Sequence, residues 1–346
     1  MALLRRRQFR TSYIDAVGPM GHPVRLSMER GMAGQQPSRQ PLQPSPSPVE
    51  VTVCIPTRGR PTGLERLLSS LLGQHQAPRF DVLVVDNDPA RSAEAVCQRY
   101  AEQLAITYAV EARPGVSSVR NRCVALSRAP LIAFIDDEWA EPDWLAALHA
   151  KMADPGVAVA VGIRTFVFAE DVPLHRRSCI LFNLPRFEDG QAVPWPEALI
   201  GNSCLRRSSL PDPVRPFDPD LNLVGGEDSH LFAQIIANGG RIVGARGALT
   251  REYRSAQRTG LGDLLGRAFR SGGTGIEIDW RDKPVWRRLG FWAEANARFL
   301  ANVCFAMLAW PSRREYSFQR AVIAAGWAGR ASRLMGWRFR EFRKFK

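Results

Sequence analysis

Short apolar runs alternate with stretches of helical spacing along the middle of the chain. Val51-Thr-Val-Cys-Ile55 is a β-rich run ending at Pro56. Leu64 to Leu72 repeats apolar residues at a helical period, and Val82-Leu-Val-Val85 is a second strand, stopped by Asp86-Asn-Asp-Pro89. The pattern then predicts a helix over 90–104, a strand over 106–110, a helix over 117–126 and a strand over 131–135. This last strand has no polar interruption, as expected of a strand covered on both faces. A helix from Pro142 to Met152 and a strand from Val157 to Val161 follow, with Pro142 suited to a first helical turn. The order βαβαβαβ predicts an α/β fold: a mainly parallel sheet with helices on both faces.

Ligands of such sheets bind beyond the carboxyl ends of the strands. Three of those ends are polar here. The first reads Pro56-Thr57-Arg58-Gly59-Arg60, the second Asp86-Asn87-Asp88 and the fourth Asp136-Asp137-Glu138. No GxGxxG follows the first strand and no GxxxxGK[ST] occurs, which argues against a nicotinamide-binding Rossmann site and a P-loop. Three adjacent acids after a buried strand suit Mg²⁺ or Mn²⁺ shared with substrate phosphates. Their bland alternative is a capping loop before Pro142. A second acidic cluster, Gly225-Gly226-Glu227-Asp228, opens another helix. It reads either as charge complementing a helix N-terminus or as a general base fixed at a cleft.

Composition sharpens the boundaries. The chain has 346 residues, 45% hydrophobic and 23% charged, enough apolar material for a sizeable core. The net charge of +13 is uneven. Residues 1–48 carry 7 arginines against 2 acids, residues 251–346 carry 20 basic against 8 acidic residues, and residues 49–250 carry 20 against 24. The expected organisation is a Pro/Ser-rich basic tail over 1–48, an α/β domain over 49–250, and a basic helical extension over 251–346. The six cysteines form no CxxC, so they read as free thiols of a reducing compartment. Arg6-Arg7-Gln8-Phe9 lacks the apolar stretch that an export signal needs next, so a cytoplasmic chain is expected. The apolar run 299–310 is too short to span a bilayer. Helical spacing over 285–310 and the alternating aromatic and basic terminus from Trp337 instead suit an anionic membrane surface. The acidic body and the lack of a nucleic-acid module argue against nucleic acid.

Taken in order, Val-Thr-Val-Cys-Ile-Pro-Thr-Arg-Gly-Arg-Pro, Val-Val-Asp86-Asn, Gly115-Val-Ser-Ser-Val-Arg-Asn121, Ile-Ala-Phe-Ile-Asp-Asp-Glu and Gly-Gly-Glu-Asp228 resemble the motif series of family 2 glycosyltransferases over roughly 50–275. Gly201-Asn-Ser-Cys-Leu-Arg-Arg and Phe269-Arg-Ser-Gly are most similar to the succinoglycan-biosynthesis ExoM type. The resemblance implies a GT-A glycosyltransferase domain over 49–250, with a nucleotide-binding half (49–162) and an acceptor half (163–250), and inverting transfer of a hexose, UDP-glucose favoured, from a nucleotide sugar to a hydroxyl of a lipid-linked glycan. It implies that Thr57, Arg58 and Arg60 line the nucleotide pocket and that Asp86 bonds uracil or ribose. It places Arg120 and Asn121 near the ribose and diphosphate. Asp136, Asp137 and Glu138 would hold the metal, Asp228 would be the base and Glu227 would orient the acceptor. Two departures stand out. The third acid is Glu138 rather than Asp. Arg251 occupies the place where the family often has a metal-ligating His; a guanidinium cannot ligate a metal but can contact the diphosphate, which leaves room for a metal-independent variant. A catalytically inactive sugar- or nucleotide-binding protein of the same fold is the alternative.

Overall fold

The computed structural model describes residues 48–336, apart from residues 137, 185, 224, 281 and 282 and the side chains of 275 and 277–279. The basic tail before residue 48, the terminus from residue 337 and Asp137 therefore lie outside the described residues. In chain order the elements are β1 (Val51–Thr57), α1 (Pro61–Leu72), β2 (Phe80–Asp86), α2 (Glu94–Tyr100), β3 (Ile106–Val110) and α3 (Val116–Leu126). Then come β4 (Leu131–Ile135), β5 (Glu138–Ala140), α4 (Trp144–Lys151), β6 (Val157–Phe168), α5 (Leu174–Arg177) and β7 (Asn202–Arg206). The chain closes with α6 (Glu227–Ala237), β8 (Arg241–Arg254), α7 (Leu261–Trp280), α8 (Val285–Ala309) and α9 (Arg314–Leu334).

All strands join one sheet in the order β3-β2-β1-β4-β7-β6-β8-β5. β1 to β4 pair in parallel, as the alternating pattern predicts. β7 enters antiparallel between β4 and β6, while β6 and β8 run parallel to each other. Period-2 side chains carry two cores, one on each face. Val51, Val53 and Ile55 pack with Leu64, Leu67, Leu68 and Leu71 of α1 and with Trp144 of α4. On the opposite face Cys54 joins Cys123 and Val124 of α3 and Phe232 of α6. Burying a side chain of this size stabilises by roughly 1.5–3 kcal/mol, so the two cores fix where the polar strand ends project.

Several elements differ from the expectation. β5 and β7 are absent from the sequence reading: β5 has only three residues, and β7 carries polar ends. β6 runs on to Phe168, and the helix expected over 90–104 is confined to Glu94–Tyr100. β8 continues to Arg254, so the division expected after residue 250 falls inside a strand.

Beyond β8, α7 packs Leu264 and Ala268 against Cys179, Ile180 and Leu181 and against Phe318 and Val322 of α9. Another side of α7, with Arg267, Arg270 and Thr274, lines a cleft together with Glu252 and Arg254 at the end of β8. Among the described residues no helix is long and apolar enough to cross a membrane.

Candidate active site

The N-terminal strand ends are held by their own backbone. Asp86 closes β2 with no exposed surface. Its Oδ1 accepts from the Asp88 N–H (2.9 Å), and its Oδ2 accepts from the Ala93 N–H (2.9 Å) and the Tyr108 hydroxyl (3.1 Å). Asn87 donates to the carbonyls of Glu111 (2.7 Å) and Arg113 (2.8 Å) and accepts from the Gly115 N–H (2.9 Å). Through these bonds Asp86, expected against a base or ribose, and Asn87 hold the loops that follow β2 and β3. Asn121, expected beside the ribose and diphosphate, exchanges both of its amide groups with the Phe217 backbone, at 2.7 and 2.9 Å. Thr57 is buried at the end of β1, where its carbonyl accepts from the Asn87 N–H. Arg58 is half-buried, and Arg60 caps the start of α1. Burial holds the Arg60 guanidinium below its ordinary range, and the like charge of Arg258 adds to this.

Two acidic motifs 91 positions apart meet through one arginine. Arg120, on the buried side of α3, donates from Nη1 to Glu227 Oε1 and from Nη2 to Asp136 Oδ1 (3.4 Å) and Oδ2 (3.3 Å). Burial opposes its charge, but Asp136, Glu227 and Asp228 together raise its pKa above the ordinary value. Arg120, expected near the ribose and diphosphate, binds the acidic loop after β4 to the first turn of α6. Glu227 is almost wholly buried, and its second carboxyl oxygen has no hydrogen-bond partner. Burial pushes this carboxyl up to about 7; Arg120 opposes the shift and Asp228 adds to it. Asp228, next in the helix, is half-buried and accepts from the Ser229 N–H. A glycine must stand at 201, because a Cβ there would fall 2.2 Å from Asp136 Oδ2 and 2.8 Å from Arg164 Nη2.

Glu138 departs most from its expected role. It sits in β5 opposite Glu252 of β8, with 2% of its surface exposed. Its Oε1 is ion-paired to Arg164 of β6, and its Oε2 accepts from the Thr250 hydroxyl. Thr250 is itself tied, through Asn202 Nδ2 (3.1 Å), to the Trp144 indole, which donates to Asn202 Oδ1 at 2.8 Å. Burial pushes the Glu138 carboxyl up to about 8, against the pull of Arg164. Arg251 is also displaced from its expected place. Along β8 the residues Thr250, Glu252 and Arg254 are buried while Arg251 and Tyr253 are exposed. Arg251 pairs with Glu141 at 2.5 Å, on the face of β8 away from Glu138.

Of the three acids expected to hold a cation at 136–138, two lie among the described residues. Both oxygens of Glu138 are taken, Asp136 faces Arg120, and Asp137 is outside the described residues. Among the described residues no cluster of three His, Cys, Asp or Glu side chains could hold a metal.

In front of these groups lies a cleft of about 670 Å³. Asp136, Glu138, Arg164, Glu252 and Arg254 form its floor, and Arg258 and α7 close it. Arg254 reaches Glu252 at 2.7 Å. Burial lowers its guanidinium to about 9, and the like charges of Arg267, Arg258 and Arg164 add to this. Of Arg164, Glu252, Arg254, Arg258, Arg267 and Arg270, only Arg270 figures in the sequence reading, within Phe269-Arg-Ser-Gly. Helical spacing over 263–274 is the signal that places Arg267 beside it. Arg206 and Arg207, which end the Gly201-Asn-Ser-Cys-Leu-Arg-Arg motif, bond backbone carbonyls: Arg206 those of Val157 and Met152, Arg207 those of Ser127 and Ala129.

Comparison with known proteins gives matches of family and fold. The family model "Glycosyl transferase family 2" matches residues 52–208. The succinoglycan biosynthesis protein ExoM of Rhizobium meliloti is 29% identical over 293 residues, which is 80% of this chain and 91% of that protein. The validoxylamine A glucosyltransferase of Streptomyces hygroscopicus subsp. limoneus is 35% identical over 218 residues, 55% of this chain and 48% of that protein. The chain thus spans about half of the second relative. Among solved structures, the mannosyltransferase PcManGT of Pyrobaculum calidifontis, in complex with GDP-Man and Mn²⁺, is alike with a TM-score of 0.55. It is 20% identical over 82% of this chain and 88% of that one, a likeness of fold alone. Residues 52–208 thus match the family 2 glycosyltransferase model and the fold is of the GT-A kind, with Asp136 lining the cleft and Glu227 joined to it through Arg120.

Proposed function

We propose that the chain transfers a hexose from a nucleotide sugar, UDP-glucose favoured, to a hydroxyl of a lipid-linked glycan with inversion at the anomeric carbon. The observation that carries this reading is the Asp136–Arg120–Glu227 bridge, which sets the helix bearing Asp228 beside the cleft of β4 and β8. The donor is assigned to that cleft, with Thr57, Arg58 and Arg60 on its nucleotide side. Asp228 is assigned as the base that takes the proton of the attacking hydroxyl, while oxygen displaces the diphosphate from the opposite face in one step. Glu227 holds the first turn of α6 in place through Arg120. The divalent cation does not enter this reading, because Glu138 is bound to Arg164 and Thr250.

The acceptor is assigned to a second cavity of about 760 Å³, lined by Asp218, His230, Gln234, Trp280 and Arg288. Gly225 and Thr274 line both spaces, so one wall separates donor from acceptor. α8 leaves Trp286, Leu289, Leu300, Met307 and Leu308 exposed, with Trp310 just beyond it. Arg287 and Arg288 stand at one end of this stripe and Arg313 and Arg314 at the other. An apolar stripe between basic ends suits peripheral attachment to an anionic membrane face.

Asp228→Asn tests the assignment. Transfer from UDP-glucose to a lipid-linked acceptor should fall by at least about 10²-fold, the scale of a lost general base. UDP affinity, read by calorimetry, should stay within twofold. A variant that keeps full transfer activity would remove Asp228 as the base.

A further inference from the structure

Among the described residues, five guanidinium groups line the donor cleft (Arg164, Arg254, Arg258, Arg267 and Arg270), beside the carboxyl groups of Asp136, Glu138, Glu252 and Asp263. Arg60 lies within electrostatic reach of Arg258 and Asp136.

Geometry separates these arginines into two sets. Arg164 and Arg254 are fixed in the floor, ion-paired with Glu138 and Glu252. Arg258, Arg267 and Arg270 belong to the covering segment. Asp263, Arg267, Arg270, Ser271 and Thr274 recur at three- and four-residue intervals, so they share one side of α7, while Leu264 and Ala268 are buried on another. Thr274 is seated by Gly226, whose φ of +94° and missing side chain admit it: a Cβ there would lie 2.5 Å from Thr274 Cγ2. That contact ties α7 to the turn that carries Glu227 and Asp228. A helix that presents planar, fixed-charge donors at this spacing is built for oxygen-rich dianions, which guanidinium groups bind in pairs of parallel hydrogen bonds.

We propose that Arg258, Arg267 and Arg270 form the diphosphate clamp of this enzyme and supply the positive charge that a cation held by Glu138 would otherwise provide. The proposal rests on the nucleotide-sugar reading above. It adds the residues that hold the leaving group and the independence of that grip from a divalent ion. Charge developing on the departing diphosphate is then stabilised by preorganised guanidinium groups.

Calorimetric titration of UDP and uridine into the full-length chain, in EDTA and in Mn²⁺, tests it. UDP should bind in EDTA within about threefold of its affinity in Mn²⁺. Arg258→Gln and Arg267→Gln should each weaken UDP in EDTA about tenfold and leave uridine unchanged, with circular dichroism confirming the fold. Arg267→Lys, which keeps the charge but loses the fork, should fall between. UDP binding that disappears in EDTA while persisting in Mn²⁺ would overturn the clamp and leave the nucleotide-sugar reading standing. Full UDP affinity in the Arg258→Gln/Arg267→Gln double variant would do the same. Absence of UDP binding under both conditions, with folded protein, would overturn both.

Discussion

In the β3-β2-β1-β4 half of the sheet, Asp86, Asn87 and Asn121 are neutralised by backbone N–H and C=O groups. In the β7-β6-β8-β5 half, Glu138, Arg164, Glu252 and Arg254 are neutralised by one another. Asp86 and Asn87 stand at the end of β2 and Asn121 on α3, while Glu138, Arg164, Glu252 and Arg254 lie on β5, β6 and β8. The first set hydrogen-bonds backbone and loops. The second is a lattice of formal charge, rigid yet ready to respond to a bound anion. A polar residue at a strand end is therefore a ligand contact only when its own neighbours leave it so, and the neighbours are visible only after folding.

The largest effect expected from breaking this contrast is at Arg120, which joins the halves. Replacing it by Ala leaves Glu227 buried beside Asp228 and Asp136 with no cation between them. Removing one partner of a buried pair typically costs about 3–5 kcal/mol. The urea midpoint of Arg120→Ala should fall accordingly, and Arg120→Ala/Glu227→Gln should recover much of the loss. An Arg120→Ala protein as stable as wild type would mean that the bridge does not hold α6 to the β4 loop.

A smaller effect sharpens the same contrast through pH, because amide clamps do not titrate and carboxylates do. Burial raises the Glu227 carboxyl from 4.5 to about 7. Between those values the folded chain holds a proton that the unfolded chain has released, so stability falls as pH rises from 4.5 through 7. For one group the fall is roughly 1–3 kcal/mol across that window. Glu227→Gln should remove this part of the decline in urea midpoints measured at pH 5, 6, 7 and 8, leaving the part due to Glu138. Parallel slopes for the two proteins would refute the raised carboxyl.

The legible part of the molecule follows from these two kinds of neutralisation. Apolar runs covered on both faces announce β1, β2 and β4, and the acidic motifs announce themselves by type. Their spacing in sequence says nothing of Arg120, because a bridge between residues 136 and 227 depends on how α3 packs across the sheet. Glu138 looked like a third metal ligand because an acid after Asp-Asp is read as part of the same loop. In the fold it is the first residue of a short edge strand, and its cross-strand neighbours decide its partner. The arginines of α7 were hidden differently: they read as a basic extension, and only the position of α7 over the strand ends turns one side of that helix into a wall of the cleft.

The smallest expected effect is at Arg251, where a near-null result is the informative one. On the alternation of β8 its side chain leaves the sheet on the face opposite Glu138 and Glu252, half-exposed and paired with a partly exposed Glu141. Exposed pairs of this kind contribute about 0–1 kcal/mol. Arg251→Ala should therefore shift the urea midpoint little and leave UDP affinity and transfer within twofold of wild type. Its neighbour Arg254, one alternation further and on the cleft side, provides the internal standard: Arg254→Ala should weaken UDP binding where Arg251→Ala does not. If Arg251→Ala lost UDP tenfold instead, its guanidinium would have to reach the diphosphate from the far side of the sheet. The register Glu138–Glu252 and Trp139–Arg251 that orders the whole cleft floor would then be wrong by one residue, since a one-residue slip exchanges the two faces.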